Sequence, residues 1–132
     1  PKFTIVLGGS YGAGNYGMCG RGFDPRFIFA WPTARTAVMG GAQAAKVMDI
    51  VNRAKIERTG MTANEEALKA MSDGLRLRLD KESTALFGTA RLWDDGIIEP
   101  RDTRRLLGLC VAMAEEAQAR QLRPNTFGVA RM

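Results

Sequence analysis

The glycines between Gly8 and Gly22 are the residues of this sequence best suited to chemistry. The stretch GGSYGAGNYGMCGRG holds seven of the chain's fifteen glycines, and the apolar run FTIVL before it predicts a buried strand. A glycine-rich turn after a strand exposes backbone N–H groups, and a helix that begins there leaves its first amides unpaired. Such a turn can bind an anion or stabilise an oxyanion. Close packing of strand against helix is the alternative role for some of these glycines.

The side chains restrict the chemistry further, because the chain contains no histidine. A Ser-His or Cys-His nucleophile system is therefore excluded within it, together with the commonest general base. Any reaction here would use backbone donors and a base supplied by another molecule. The two cysteines, Cys19 and Cys110, are too far apart for a metal or redox motif and predict free thiols in a reducing compartment. We expect no metal in this chain.

The bulk composition is typical of one soluble globular domain. The chain has 132 residues, 45% hydrophobic and 25% charged residues, and a net charge of +5. Its cations are not gathered into a patch with interleaved aromatics, so we expect no nucleic-acid partner. No apolar run is long enough for a membrane span. In residues 1–45, four cations face one acid, which is consistent with an anionic ligand near the glycines: Lys2, Arg21, Arg26, Arg35 and Asp24.

One motif match favours a different ligand. The run from Gly12 to Gly17, Gly12-Ala13-Gly14-Asn15-Tyr16-Gly17, fits the dinucleotide fingerprint G-x-G-x-x-G after a strand. The gap from the strand is too long, and the following glycines would shorten the helix. Arg35 and Ala37 also stand where an acid should hold the ribose. Because Arg35 could bind a 2′-phosphate, an NADP-binding module remains an alternative, whereas a P-loop is excluded.

The elements that position the glycine stretch have the order of an α/β fold. We predict short strands at 3–8, 27–31 and 36–39, and helices at 42–58, 63–79, 83–91 and 100–120. Gly60 predicts the end of the first long helix, and Thr62 with Glu65 predicts a capping box for the next. Residues near Gly12 should form a sharp turn into a short helix. We expect one side of the first long helix to be buried. It is the side with positions at steps of three and four: Ala44, Val47, Val51, Ala54 and Arg58.

The glycine stretch also carries a family resemblance. Together with ARLWDDGII at 90–98 and further short motifs between 25 and 41, it resembles the carboxyltransferase β subunit of biotin-dependent acyl-CoA carboxylases. The methylcrotonyl-CoA and geranyl-CoA types are the most similar. Ala42, where methylcrotonyl-type members commonly carry an acid, and the residues 125–131 favour the geranyl type. The resemblance implies an α/β crotonase-like (ClpP/crotonase) half-domain, with short strands and flanking helices.

The resemblance also implies a ligand and a set of donors. Gly12, Ala13 and Gly14 would contact biotin, and the amides of Ala13 and Gly14 would hold its ureido oxyanion. Biotin is carried covalently by a partner and can itself take the proton from the acyl-CoA substrate, which explains the missing histidine.

The same resemblance predicts the domain context and the partners. Residues 1–132 would be the C-terminal part of the second carboxyltransferase domain, without the acyl-CoA-binding N-terminal domain. The partners would be a biotin carboxylase/biotin carrier subunit and the N-terminal carboxyltransferase domain of another β subunit. We expect a homo-oligomer, which self-associates through the face near 12–17 or the last helix. Its location would be the cytoplasm, or the mitochondrial matrix in a eukaryote. A structural assembly domain without activity is the remaining alternative, and it would gain support if Ala13 and Gly14 were buried with their amides already bonded.

Overall fold

The computed structural model describes residues 1–60, 62–121 and 128 of the chain, which alternate short strands with helices. The strands are β1 (Phe3–Val6), β2 (Gly9–Tyr11), β3 (Phe27–Ala30) and β4 (Arg35–Ala37). The α-helices are α1 (Gly12–Gly17), α2 (Gly41–Thr59), α3 (Glu65–Glu82), α4 (Ala85–Thr89) and α5 (Thr103–Ala119). Single turns of 3-10 helix lie at Arg21–Phe23 and Pro100–Asp102.

The strands form two small two-stranded parallel sheets. Each strand of the second sheet begins a few residues after a strand of the first sheet ends. β1 pairs with β3, with Phe3 opposite Phe27 and Val6 opposite Ala30, and β2 pairs with β4. Between the sheets the two segments stay together, because the Trp31 amide donates to the Val6 carbonyl at 2.9 Å and the Arg35 amide to the Gly8 carbonyl at 3.0 Å. Parallel strands need crossover connections, here supplied by the segments that contain α1 and the first 3-10 turn. The predicted α/β class is therefore confirmed.

Most predicted elements are present, with two differences in the strands. Strand β2 was not predicted, because a three-residue strand with a glycine and a serine has no alternating apolar pattern. Strand β1 is half-buried along its whole length rather than buried, since β3 alone pairs with it among the described strands. Strand β3 is buried as expected, with Ile28 and Ala30 only 6% and 3% exposed.

The helix predictions were correct in position and partly wrong in detail. α2 ends at Gly60, whose φ of 65° gives the left-handed C-cap that glycine favours. The capping box at Thr62 is wrong, because α3 begins two residues later and its N-cap is Asn64, which accepts a hydrogen bond from the Ala67 amide. The expected burial of α2 also holds only in part. Ala44 is buried, but Val47 and Val51 are 47% and 52% exposed, because α2 packs on α3 through a neighbouring face.

The 90–98 segment is a structural connection to the end of β3. Asp95 binds Ile28 twice, since its amide donates to the Ile28 carbonyl and its carboxylate accepts from the Ile28 amide, both at 2.7 Å. Ile97 forms a bridge with Ala30. The buried cluster beneath this connection consists of small residues, Ala30, Ala34 and Ala85, with Val6 packed against it. The two cysteines are free, as predicted. No helix among the described residues is both long and apolar enough to span a membrane.

An ion pair on the surface joins α2 to α3 and makes stability depend on pH. Arg53 binds both carboxylate oxygens of Glu65, at 2.8 and 2.7 Å, and also Asp49 on its own helix at 3.0 Å. The hydrogen bonds from Arg53, and then its charge, lower the pKa of Glu65 below its ordinary value of 4.5. A carboxyl with a lowered folded pKa stabilises the fold above its unfolded pKa, and this contribution is lost as the pH falls through the folded pKa.

We therefore expect Glu65→Gln to lower the melting temperature slightly at pH 7 in low salt. The difference from the parent protein should shrink as the pH falls below 4.5 and through the lowered folded pKa of Glu65, where the parent loses this charge as well. Added salt should also reduce it. Glu66→Gln, at the neighbouring position outside this ion pair, is the matched control. An equal effect of both substitutions at pH 7 would contradict the assignment.

Candidate functional site

The site begins at Gly12, where the chain turns from β2 into α1. Gly12 has a φ of +49°, and a Cβ at this position would lie 2.8 Å from the Val38 carbonyl oxygen. Both facts require glycine, because other residues rarely adopt this φ and a side chain would collide with the backbone after β4. The predicted sharp turn into a short helix is confirmed. The turn and the loop that leads into α2 are therefore packed backbone to backbone.

Ala13 and Gly14 follow this turn in the first turn of α1, and both are exposed. First-turn amides have no partner within a helix, and no side chain caps this end of α1. Among the described residues, neither amide donates a recorded hydrogen bond to another element. The observation that would have supported an inactive assembly domain, buried residues with bonded amides, is therefore not made.

The glycines of the stretch divide into two groups by what surrounds them. A Cβ at Gly20 would overlap the side-chain oxygen of Asn15, and one at Gly22 would lie 2.5 Å from the ring of Tyr16. These two glycines allow the following loop to pack on α1. By contrast, a Cβ at Gly14 or Gly17 would meet nothing within 4 Å, and neither residue has a positive φ. Packing and backbone conformation therefore explain Gly20 and Gly22 but not Gly14.

Three of the four cations that were expected to favour an anion make contacts within the fold. Arg21 pairs with Asp95 at 3.3 Å, and Lys2 donates to the Phe23 carbonyl. Arg35 donates to the carbonyl of Asp80 on α3 at 3.1 Å. The fourth cation, Arg26, makes no side-chain hydrogen bond or ion pair within the described part of the chain. The donors that α1 itself offers to an anion are its first backbone amides.

The geometry does not favour the dinucleotide alternative. α1 has only six residues and ends at Gly17, which is too short for the crossover helix of a dinucleotide fold. Cys19 then takes a left-handed conformation with a φ of 63°. Arg35, which would have bound the 2′-phosphate, is the residue held by Asp80.

Two polar contacts that the sequence did not predict hold this region. Asn15 donates to the Ser10 hydroxyl at 3.0 Å, and Thr4 donates to the Cys19 carbonyl at 2.8 Å. Neither has a sequence signal, because both contacts join positions that only the turn at Gly12 brings together. Among the described residues, no group of three or more His, Cys, Asp or Glu side chains could hold a metal.

Comparison with known proteins gives one consistent family. A family model for the carboxyl transferase domain matches residues 1–129. The chain is 48% identical over its whole length to the mitochondrial methylcrotonoyl-CoA carboxylase beta chain of Arabidopsis thaliana, of which it covers 22%. It is 46% identical to a probable biotin-dependent acyl-coenzyme A carboxylase beta2 subunit of Mycobacterium tuberculosis, again over its whole length and 25% of the relative.

A solved structure supports the same family at the level of the fold. The crystal structure of the beta subunit of geranyl-CoA carboxylase from P. aeruginosa superimposes with a TM-score of 0.86 at 58% identity. The match covers all of this chain and 24% of that subunit. The chain thus spans about a quarter or less of the length of the proteins it matches.

The two groups of glycines predict opposite effects on stability. Gly20→Ala should destabilise the chain by about 1–3 kcal/mol, because the added methyl group overlaps Asn15 at a buried position. Gly14→Ala should stabilise it by roughly 0.5–1 kcal/mol, because alanine is the better helix former and the space is open. Chemical denaturation measures both. A loss of stability in Gly14→Ala would show that the space beside Gly14 is already filled.

Proposed function

The chain belongs to the carboxyl transferase domain family, and we propose that it forms the carboxybiotin-facing part of an acyl-CoA carboxylase β subunit. The α/β crotonase-like half-domain is common to the chain and its relatives. The single observation that carries the proposal is that Ala13 and Gly14 are exposed residues in the uncapped first turn of α1, in a chain without histidine. One of the relatives is named as biotin-dependent.

The residues around α1 fit a biotin ureido group. Gly12 turns the backbone into α1, whose first-turn residues Ala13 and Gly14 are exposed, and the open space at Gly14 leaves room for a ring to approach. Bound biotin supplies the carboxyl group and, after giving it up, a base for the proton of the acyl-CoA. The amides of Ala13 and Gly14 stabilise the negative charge on the ureido oxygen, which preorganised N–H donors do best in a site that excludes water. Side-chain acids and bases are not needed for that task.

The rest of the active site is supplied by other parts of the enzyme. In this proposal, residues 1–132 are the C-terminal part of the second carboxyltransferase domain. The acyl-CoA is held by the N-terminal domain of another β subunit, and biotin arrives on a biotin carboxylase/biotin carrier subunit. The greater identity to the geranyl-CoA carboxylase subunit, 58% against 48% for the methylcrotonoyl-CoA relative, favours a terpenoid acyl-CoA. The proposed compartment is the cytoplasm, or the mitochondrial matrix for a eukaryotic source, as in the Arabidopsis relative.

The proposal predicts that Gly14→Ala loses turnover while it gains stability. The methyl group would stand where the ureido ring must approach, and a displacement of about 1 Å can lower the rate roughly 100-fold. Ala13→Pro removes one donor and should lower turnover by about 100- to 1,000-fold. Proline is tolerated in the first turn of a helix, so the helix should be retained. The measurement is carboxylation of geranyl-CoA and 3-methylcrotonyl-CoA by the full-length subunit with its biotin-bearing partner.

Gly17→Ala is the matched control for this experiment. It lies in the same helix, has the same open surroundings, and should gain stability without loss of turnover. Normal turnover in both Gly14→Ala and Ala13→Pro would refute the oxyanion site. An equal loss in Gly17→Ala would show that α1 responds to helix propensity and not to the position of the donors.

We also propose that the β subunit self-associates, in part through the last helix. On α5, the side chains of Leu109 and Met113 are one turn apart and 57% and 40% exposed. Leu109→Lys with Met113→Lys should shift the sedimentation of the full-length subunit towards smaller species, because two charges would enter an apolar contact. Leu77→Lys, at a 70% exposed site on α3, should leave it unchanged. Unaltered sedimentation of the double variant would contradict a role for α5.

A further inference from the structure

Asn15 is the one residue of α1 whose side chain forms a hydrogen bond within the described part of the chain. Its amide nitrogen donates to the Ser10 hydroxyl at 3.0 Å. Ser10 is the middle residue of β2 and pairs with Thr36 of β4 in the parallel ladder. Asn15 therefore ties α1 to a strand that is itself held by its neighbour.

The other side of the Asn15 side chain is closed by Gly20. The Gly20 amide donates to the Asn15 carbonyl at 2.8 Å, and the Gly20 α-carbon is so close to the Asn15 side-chain oxygen that no Cβ would fit. Gly20 is buried. The side chain of Asn15 is thus held between Ser10 and Gly20, which leaves it one orientation.

α1 has few other means of fixing its rotation about its own axis. It is six residues long, contains no buried residue, and has neither an acid in its first turn nor a base in its last. So short a helix is not stable by itself in water. The Tyr16 ring packs against Gly22 and makes an edge contact with Phe23, but both aromatic residues are more than half exposed.

The rotation of α1 decides where its first amides point. Asn15 follows Gly14 directly, so a hydrogen bond at Asn15 fixes the direction of the amides one and two residues before it. We propose that Asn15, through Ser10, is a positioning residue that aims the amides of Ala13 and Gly14 at the ureido oxygen. This inference rests on the proposed function and adds to it a side chain that touches neither biotin nor the acyl-CoA.

The test is a double-mutant cycle in the full-length β subunit assembled with its biotin-bearing partner. Asn15→Ala and Ser10→Ala should each lower kcat by about 10- to 100-fold, because misaimed donors lose charge stabilisation in the transition state. The KM for the acyl-CoA should stay within about twofold, because uniform substrate binding is unaffected. The double variant should be no slower than either single variant, since both remove one contact.

Two controls separate positioning from general stability. Ser10→Thr keeps the hydroxyl and should retain turnover, which makes it the conservative rescue. Asn64→Ala removes a comparable bond, which the Ala67 amide donates to the Asn64 side chain at the start of α3, and should lower stability without changing kcat. The melting temperature and the amount of assembled complex are measured for every variant, and Ser10→Ala carries the test if Asn15→Ala does not assemble.

Each outcome supports or overturns the inference. A kcat for Asn15→Ala within about twofold of the parent, an equal loss in Asn64→Ala, or additive losses in the double variant would each overturn it. A different result would show that the proposed function itself is wrong: Gly14→Ala and Ala13→Pro would both keep full turnover. If those two variants lose turnover while Asn15→Ala keeps it, only the role of Asn15 is wrong.

Discussion

The close approach of Gly12 to the Val38 carbonyl is the contact on which the rest of the site depends. The backbone must take a left-handed conformation there and pass against the loop after β4 without a side chain between them. Only this turn brings α1 back over β2, so that Asn15 reaches Ser10 and the first amides of α1 stay in the open. Any other residue at Gly12 would move the helix and the loop before α2 together.

The glycine-rich stretch serves two physical purposes that its composition does not distinguish. Gly20 and Gly22 allow the loop after α1 to pack closely, which rigidifies the site. Gly14 contributes no contact and lowers the helix propensity of a helix that is already short, so its presence favours access by a ligand over stability. In α1, Gly14 thus leaves the helix surface open to a ligand, and Asn15, the next residue, holds the helix in place.

Several charged side chains near the site make contacts within the fold. Arg21 and Arg35 connect the glycine region to Asp95 and to the end of α3, so they act within the fold and leave anion recognition to the backbone. The 90–98 segment has the same character, because Asp95 closes a ring of hydrogen bonds on Ile28. On α2, Val47 and Val51, which periodicity assigns to the buried side, are instead exposed on the described chain.

The sequence by itself determined the α/β class, the positions of the helices and the sharp glycine turn into a short helix at Gly12. These follow from local physics: helical periodicity over long segments, glycine at the end of α2, and a glycine turn after a strand. The sequence also pointed to Gly12, Ala13 and Gly14 through a family resemblance, and their role remains a proposal.

Only the tertiary structure decided which glycines pack and which remain open, because that depends on atoms far apart in the chain. It also revealed β2, whose three residues have no periodic signal and become a strand only by pairing with β4. The Asn15–Ser10 bond depends on the same folding step, since the turn at Gly12 is what brings its two partners together.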